Sequence, residues 1–349
     1  MAPLRIVQWT TGNVGRQMVR QIAERPDMEL VGVYAHGADK VGVDAGELAG
    51  LGRSLGVVAT NDVEHIIALR PDCISYFPLA ADLGEMARLL RAGINIVTTS
   101  EFITGRAFDA EAVDALRIAA ADGQASVFGS GINPGFVEYL VAAASSPCSE
   151  VELVRVIESY DLSMMASEAN QDDLGWGRPA GDPTHASDLQ TGVFEFEDAL
   201  DVVARMFGIS LDDVRCDVRF AHAKARVEVD GRDVPSGSVA GIEITWTGAS
   251  GGRDFVELIA RWILTPDLDV PMEVSHGYHL QIVGDPSIDL RLNFTPTRGE
   301  STVQDLLHMG HRITGMPALN AIPAVVAAAP GIVSYADLPP ITGPIASRA

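Results

Sequence analysis

Leu4-Arg5-Ile6-Val7-Gln8-Trp9-Thr10-Thr11-Gly12-Asn13-Val14-Gly15-Arg16-Gln17-Met18-Val19 begins as an apolar run, breaks at Thr10 and resumes at Arg16 with a helical pattern. That is a strand, a tight turn and a helix. The turn is a variant of the dinucleotide fingerprint in which Thr10 stands where the first glycine is usual. Gly12 lets the backbone approach a pyrophosphate, and Gly15 lets the helix pack close to the strand. The helix N-terminus offers unpaired N–H groups and a positive dipole end to phosphates. Thr10, Thr11, Gly12, Asn13, Val14 and Gly15 are therefore candidate cofactor contacts.

Outward from this turn, Glu29 to Tyr34 reads as a second buried strand that ends at Ala35-His36-Gly37-Ala38-Asp39-Lys40. Rossmann domains that prefer NAD place an acidic residue at this strand end, where it holds the ribose 2′-hydroxyl. Here His36 and Lys40 are available to a 2′-phosphate, with only Asp39 as an acidic competitor, so NADP is preferred over NAD. A merely solvated Lys40, indifferent to the phosphate, is the other reading.

Strands at 56–60, 73–77, 94–98 and 125–128 alternate with helices at 63–69, 83–91 and 110–121. Strict alternation implies parallel strands with right-handed crossovers, an α/β doubly wound Rossmann sheet whose ligands sit beyond the strand carboxyl ends. The loops at Thr10 to Gly15, at Pro78-Leu79-Ala80 and at Thr98-Thr99-Ser100-Glu101 therefore converge on the cofactor. Glu101 follows a strand directly, which sets its carboxylate near the nicotinamide end. It reads equally well as a first-turn acid of a helix capped by Ser100.

From Val151 the texture changes to partial two-residue alternation with turn signals such as Asp230-Gly231, which reads as a second α+β domain with a mostly antiparallel sheet. One helix, Glu197 to Phe207, packs on it. The polar stretch 166–191 is too long for a plain connector and shapes or covers a site. Helices at 303–313 and 319–328 close the chain. The expected domains are residues 1–148 for the dinucleotide, 149–300 for substrate and dimerisation, and 301–349 returning to the first.

The net charge of −22 argues against nucleic acid. Three scattered cysteines fit a reducing cytoplasm rather than a disulfide framework or zinc cluster. The chain enters its first strand at once, leaving no room for a secretory signal, and no stretch approaches a membrane span. His308 and His311 lie three apart on a helix without a compelling third ligand, so no metal is expected.

Gly129-Ser130-Gly131-Ile132-Asn133-Pro134-Gly135-Phe136, Val97-Thr98-Thr99-Ser100-Glu101 and Asn320-Ala321-Ile322-Pro323 with Ala329-Pro330-Gly331-Ile332-Val333 resemble the 2,4-diaminopentanoate dehydrogenase family and its relatives, the native amine dehydrogenases. The resemblance implies reversible reductive amination of a ketone with ammonia and NAD(P)H, a homodimer, and Glu101 as the catalytic carboxylate. An iminium carbon accepting hydride is cationic, and a preorganised carboxylate stabilises it and also takes a proton from ammonium. The wider fold resembles dihydrodipicolinate reductases. Arg232-Asp233-Val234-Pro235-Ser236-Gly237-Ser238 is similar to a loop of theirs, yet the His-His and Lys expected before it are missing at Glu158 to Leu162.

Asn133 and Asn320 are candidates for the nicotinamide amide or the substrate. Phe136, Tyr160, Met164, His276 and Tyr278 are candidate substrate contacts, the last two on one strand face. Ser163-Met164-Met165-Ala166 suggests an apolar pocket rather than a diamino acid site. Two alternatives keep the nucleotide: an imine or carbonyl reductase that needs no ammonia, and a regulator without turnover.

Overall fold

The computed structural model describes residues 2–165, 169–192, 195–296 and 302–345. It divides into two compact units, Met1–Phe136 with Arg298–Ala349, and Val137–Thr297. The boundary expected at 300/301 lies outside the described residues.

The first unit runs β1 (Leu4–Trp9), α1 (Asn13–Glu24), β2 (Met28–Tyr34), α2 (Ala45–Leu48), β3 (Ala59–Thr60), α3 (Val63–Ala68), β4 (Cys73–Tyr76), α4 (Leu83–Arg91), β5 (Asn95–Thr98), α5 (Ala110–Gly123) and β6 (Ser126–Gly129). The second holds α6 (Phe136–Ala144), β7 (Glu150–Asp161), α7 (His185–Gly192), α8 (Glu195–Met206), β8 (Asp213–His222), β9 (Val227–Val229), β10 (Arg232–Val234), β11 (Val239–Ser250), β12 (Arg253–Ile263), β13 (Gly277–Asp285) and β14 (Ile288–Leu292). The chain then returns to the first unit with α9 (Val303–Ala327) and β15 (Gly331–Val333).

The first sheet has seven parallel strands in the order β15-β6-β5-β4-β1-β2-β3. Its strand order reverses between β1 and β4, the place where such sheets bind dinucleotides. Every residue of β4 and β6 is buried, as expected of strands covered on both faces. Ile66, Met86, Leu89, Leu90 and Leu116 of α3, α4 and α5 build the larger core on one face. Helix α1 packs with α9 on the other, where Val19 meets Val33, Ala45 and Ala59.

One element departs from expectation. Residues 303–327 form a single helix that runs through Pro317 and Pro323, not two helices. A proline inside a helix costs one backbone hydrogen bond. Packing of α9 along α1 and against β4, β5 and β6 offsets that loss, with Ala318, Leu319, Ala321, Ile322 and Val325 buried.

In the second unit six strands run β14-β13-β7-β12-β11-β8, antiparallel except for the β7–β12 pair. Helix α8 lies on β11 and β12, where Phe196 stacks on Trp246 with ring centroids 4.6 Å apart. Of the polar stretch 166–191, residues 166–168 lie outside the described residues. The remainder is tied to the sheet: Gly177 N–H donates to Val239 O at 2.9 Å, and Trp176 and Leu189 are buried.

His185 in this stretch stacks on Phe220 at 4.3 Å, and its Nε2 bonds the Leu174 carbonyl at 2.9 Å. Burial holds its pKa below the usual histidine value. The folded protein therefore keeps the ring neutral where the unfolded chain takes up a proton, below about pH 6.5. This contribution is whole above that pH and is lost as the pH falls. The urea midpoint of the wild type is expected to drop more steeply from about pH 7 to about pH 5 than that of His185→Gln. Equal slopes would contradict the assignment.

Candidate functional site

Sequence puts the β1–α1 turn at the carboxyl edge of the first sheet, and hydrogen bonds weld the neighbouring loops to it. Thr10 sits at φ 72, a left-handed conformation that glycine adopts more cheaply. Its side chain compensates: Oγ1 donates to Phe77 O at 2.7 Å, while its N–H donates to Tyr34 O at 2.9 Å. Thr10 thus joins the ends of β1, β2 and β4, which glycine has no side chain to do. Gln8, fully buried in an otherwise apolar strand, braces the turn from below through Nε2, which donates to Trp9 O and Thr10 O.

Several observations fit a dinucleotide pyrophosphate at this turn. A Cβ built on Gly12 meets nothing within 4 Å, so the backbone is open on that side. A Cβ on Gly15 would collide with the Thr10 carbonyl oxygen, so that position must be glycine for α1 to pack. The first turn of α1 carries no acidic side chain. Thr11 Oγ1 is buried and has no hydrogen-bond partner among the described residues. Asn13 Oδ1 accepts from Arg16 Nη2 at 2.7 Å, and Val14 is half-buried beside it. Lys40 reaches back from the β2 loop to put Nζ 3.4 Å from Thr11 O, while His36 is exposed with its ring edge-on to Tyr34 at 5.1 Å.

The next loop of the rim carries Glu101. Ser100 Oγ donates to the Pro78 carbonyl, and the adjoining Ser130 N–H donates to Thr98 O at 2.9 Å. Thr99 is half-buried between Thr98 and the fully buried Ser100. Glu101 itself is half-buried at φ 44, at the apex of a tight turn closed by a bond from Phe102 N–H to Ser100 O. The alternative of a helical first-turn acid capped by Ser100 is thereby corrected, since α5 starts only at Ala110, with Asp109 as its cap. Gly129 makes the turn possible, because a Cβ there would collide with the Phe102 carbonyl oxygen. Sequence reading singled out neither Gln8 nor Gly129. A buried amide in an apolar strand and a glycine at a strand end were the signals.

Asn133 precedes Pro134 through a cis peptide in a loop closed by a hydrogen bond from Gly131 N–H to Pro134 O at 2.9 Å, next to Ser130 and hence Thr98. Phe136 follows it, half-buried, with its N–H on Gly131 O. Asn320 is elsewhere. Its Oδ1 accepts from Arg25 Nη1 at 2.8 Å, and Arg25 caps the C-terminal end of α1. A helix of 12 residues separates that end from Gly12 by about 18 Å. Asn320 therefore joins α9 to α1 at the edge of the sheet away from the glycine turn.

In the second unit the Tyr160 and Tyr278 rings meet edge-on at 5.9 Å. Tyr278 is buried and hydrogen-bonded to Glu158, which also accepts from Trp262 Nε1 at 2.9 Å. Burial, reinforced by Glu158, pushes the Tyr160 phenol up to about 12, so it stays protonated at neutral pH. Met164 is 50% exposed. His276 does not share the strand face of Tyr278: it precedes β13, exposed at φ 54, where the chain turns into Gly277.

Residues 136–348 match the family described as 2,4-diaminopentanoate dehydrogenase C-terminal domain, and residues 6–128 match the dihydrodipicolinate reductase N-terminus. An amine dehydrogenase of Streptomyces virginiae is 28% identical over 351 aligned positions, covering 95% of each chain. A 4-hydroxy-tetrahydrodipicolinate reductase of Nostoc punctiforme is 40% identical over 62 residues, 18% of this chain and 22% of its own. The structure of an amine dehydrogenase from Mycobacterium smegmatis shares the fold at a TM-score of 0.79 and 22% identity, covering 98% of this chain and 97% of that one. Fold, turn and relatives define the class: a pyridine-nucleotide-dependent oxidoreductase acting on CH–NH2 donors. Within that class the chain belongs to the 2,4-diaminopentanoate dehydrogenase C-terminal domain family.

Proposed function

We propose that this protein catalyses the reversible reductive amination of small aliphatic ketones or aldehydes with ammonia, using NADP in preference to NAD. The observation that carries the reading is Glu101, a half-buried carboxylate at the apex of a tight turn on the cofactor rim of the sheet. In the amination direction Glu101 binds ammonium and takes its proton, freeing the nitrogen lone pair to attack the carbonyl carbon. Glu101 then returns that proton to the hydroxyl of the carbinolamine, which leaves as water, and the carboxylate so regenerated stabilises the cationic iminium. The reduced nicotinamide, when bound, supplies the hydride. Thr10 to Gly15, Pro78, Thr99 and Asn133 are assigned to holding it, and His36 and Lys40 to its 2′-phosphate. Phe136, Tyr160, Met164 and Tyr278 are assigned to the substrate. In this proposal residues 1–148 serve the nucleotide and 149–300 the substrate and a homodimer contact.

The test follows NADPH absorbance with a panel of small ketones, with and without ammonium. Oxidation only with ammonium is expected. Oxidation without it would favour an imine or carbonyl reductase, and binding without oxidation a regulator. Lys40→Ala is expected to weaken NADPH binding roughly tenfold and NADH binding little. An equal effect on both nucleotides would remove Lys40 from the 2′-phosphate.

A further inference from the structure

The end of β2 lacks the acidic side chain that holds a ribose 2′-hydroxyl in NAD-preferring Rossmann domains. A carboxylate from another element lies beside the aromatic group at these strand ends. Glu85, on the first turn of α4, is half-buried, and its Oε2 accepts from the Tyr76 hydroxyl at 2.9 Å. Oε1 accepts no hydrogen bond among the described residues. Tyr76 belongs to an aromatic group at the strand ends: Trp9 stacks on Tyr34 at 3.9 Å and meets Tyr76 at 5.7 Å, while Tyr34 meets His36 edge-on. Burial, and after it the Glu85 charge, raises the Tyr34 phenol. Glu85 itself is raised by burial, against smaller lowering contributions from the Tyr76 hydrogen bond and the His36 charge. The groups facing it are thus Tyr76 and Tyr34 from the strands, His36 from the β2 loop, and Asp82 and Arg88 from its own helix region.

We infer that Glu85 is the determinant that keeps NAD usable: its carboxylate holds the ribose 2′-hydroxyl and competes with a 2′-phosphate for His36. This rests on the reading of His36 and Lys40 as phosphate contacts. Two anionic groups facing one imidazole repel each other, so the carboxylate lowers affinity for NADP while giving the hydroxyl of NAD an acceptor. Burial raises the Glu85 pKa and the Tyr76 hydrogen bond lowers it again. Tyr76 therefore helps to keep the carboxylate ionised beside His36.

Titrations of NADH and NADPH fluorescence with the wild type, Glu85→Gln and Tyr76→Phe test the inference by binding alone. Glu85→Gln is expected to tighten NADPH and weaken NADH, moving the ratio of their Kd values roughly tenfold toward NADPH, most strongly at low salt. Tyr76→Phe leaves the carboxylate in place with a higher pKa and is expected to move the ratio the same way by less. Competition by 2′,5′-ADP against 5′-AMP is expected to reproduce the shift with the nicotinamide half removed. An unmoved ratio in Glu85→Gln, or equal weakening of both nucleotides, would overturn the role of Glu85. A wild-type preference for NADH accompanied by the shift in Glu85→Gln would instead sink the NADP preference and support Glu85.

Discussion

Glu101→Gln is expected to lower kcat/KM for amination by on the order of 10³-fold while leaving nucleotide affinity almost unchanged. The substitution keeps the length and shape of the side chain, so the turn between Ser100 and Phe102 is preserved, and it removes only the charge and the basicity. A neutral amide neither takes the proton of ammonium nor balances an iminium cation. The loss is expected in kcat as well as in ammonium KM, because the iminium develops after binding. Near-normal amination by this variant would refute the assignment of Glu101. Weakened nucleotide binding of the same size as the activity loss would show that the residue is structural.

The second large effect falls on a residue that touches no ligand. Gly129→Ala is expected to cost about 1–3 kcal/mol of stability, because the added methyl has only the Phe102 carbonyl oxygen and Ile103 Cα to move against. Those atoms directly follow Glu101. Backbone is the obstacle, and a shift there turns the carboxylate away, so turnover is expected to fall with stability. Urea unfolding read beside ammonium-dependent turnover checks both. An alanine variant as stable and as active as the wild type would mean that the turn accommodates the methyl, and that Gly129 does not fix Glu101.

The first unit was legible in the sequence where local pattern and long-range structure agree. The buried strands, the glycine turn and the alternation of strand and helix each carry a local signal, and the seven parallel strands follow from them. Where tertiary contacts decide, the sequence misled. The C-terminal stretch reads as two helices, 303–313 and 319–328, yet a single α9 runs through Pro317 because α1 and three strands cover its flank. Asn320 lies in a stretch that resembles a family motif, but the helix carries it toward Arg25, at the other end of α1. Glu101 at a strand end looked equally like a helix start, since nothing local announces a left-handed residue other than glycine. Glu85 sits on α4, a different element from those of Tyr76 and His36, so its approach to them carries no local signal. In the second sheet partial alternation gave the strands. His276 was placed on a strand face because Gly277, at φ 133, is invisible as a corner until the backbone is traced.

Amination itself is the claim on which the rest depends, and the nitrogen of the product reports on it directly. Incubating the wild type with NADPH, a small ketone and ¹⁵N-ammonium, then weighing the product by mass spectrometry, is expected to show an amine carrying the heavy nitrogen, formed mole for mole with the NADPH oxidised. An alcohol, or an amine without the label, would contradict the account.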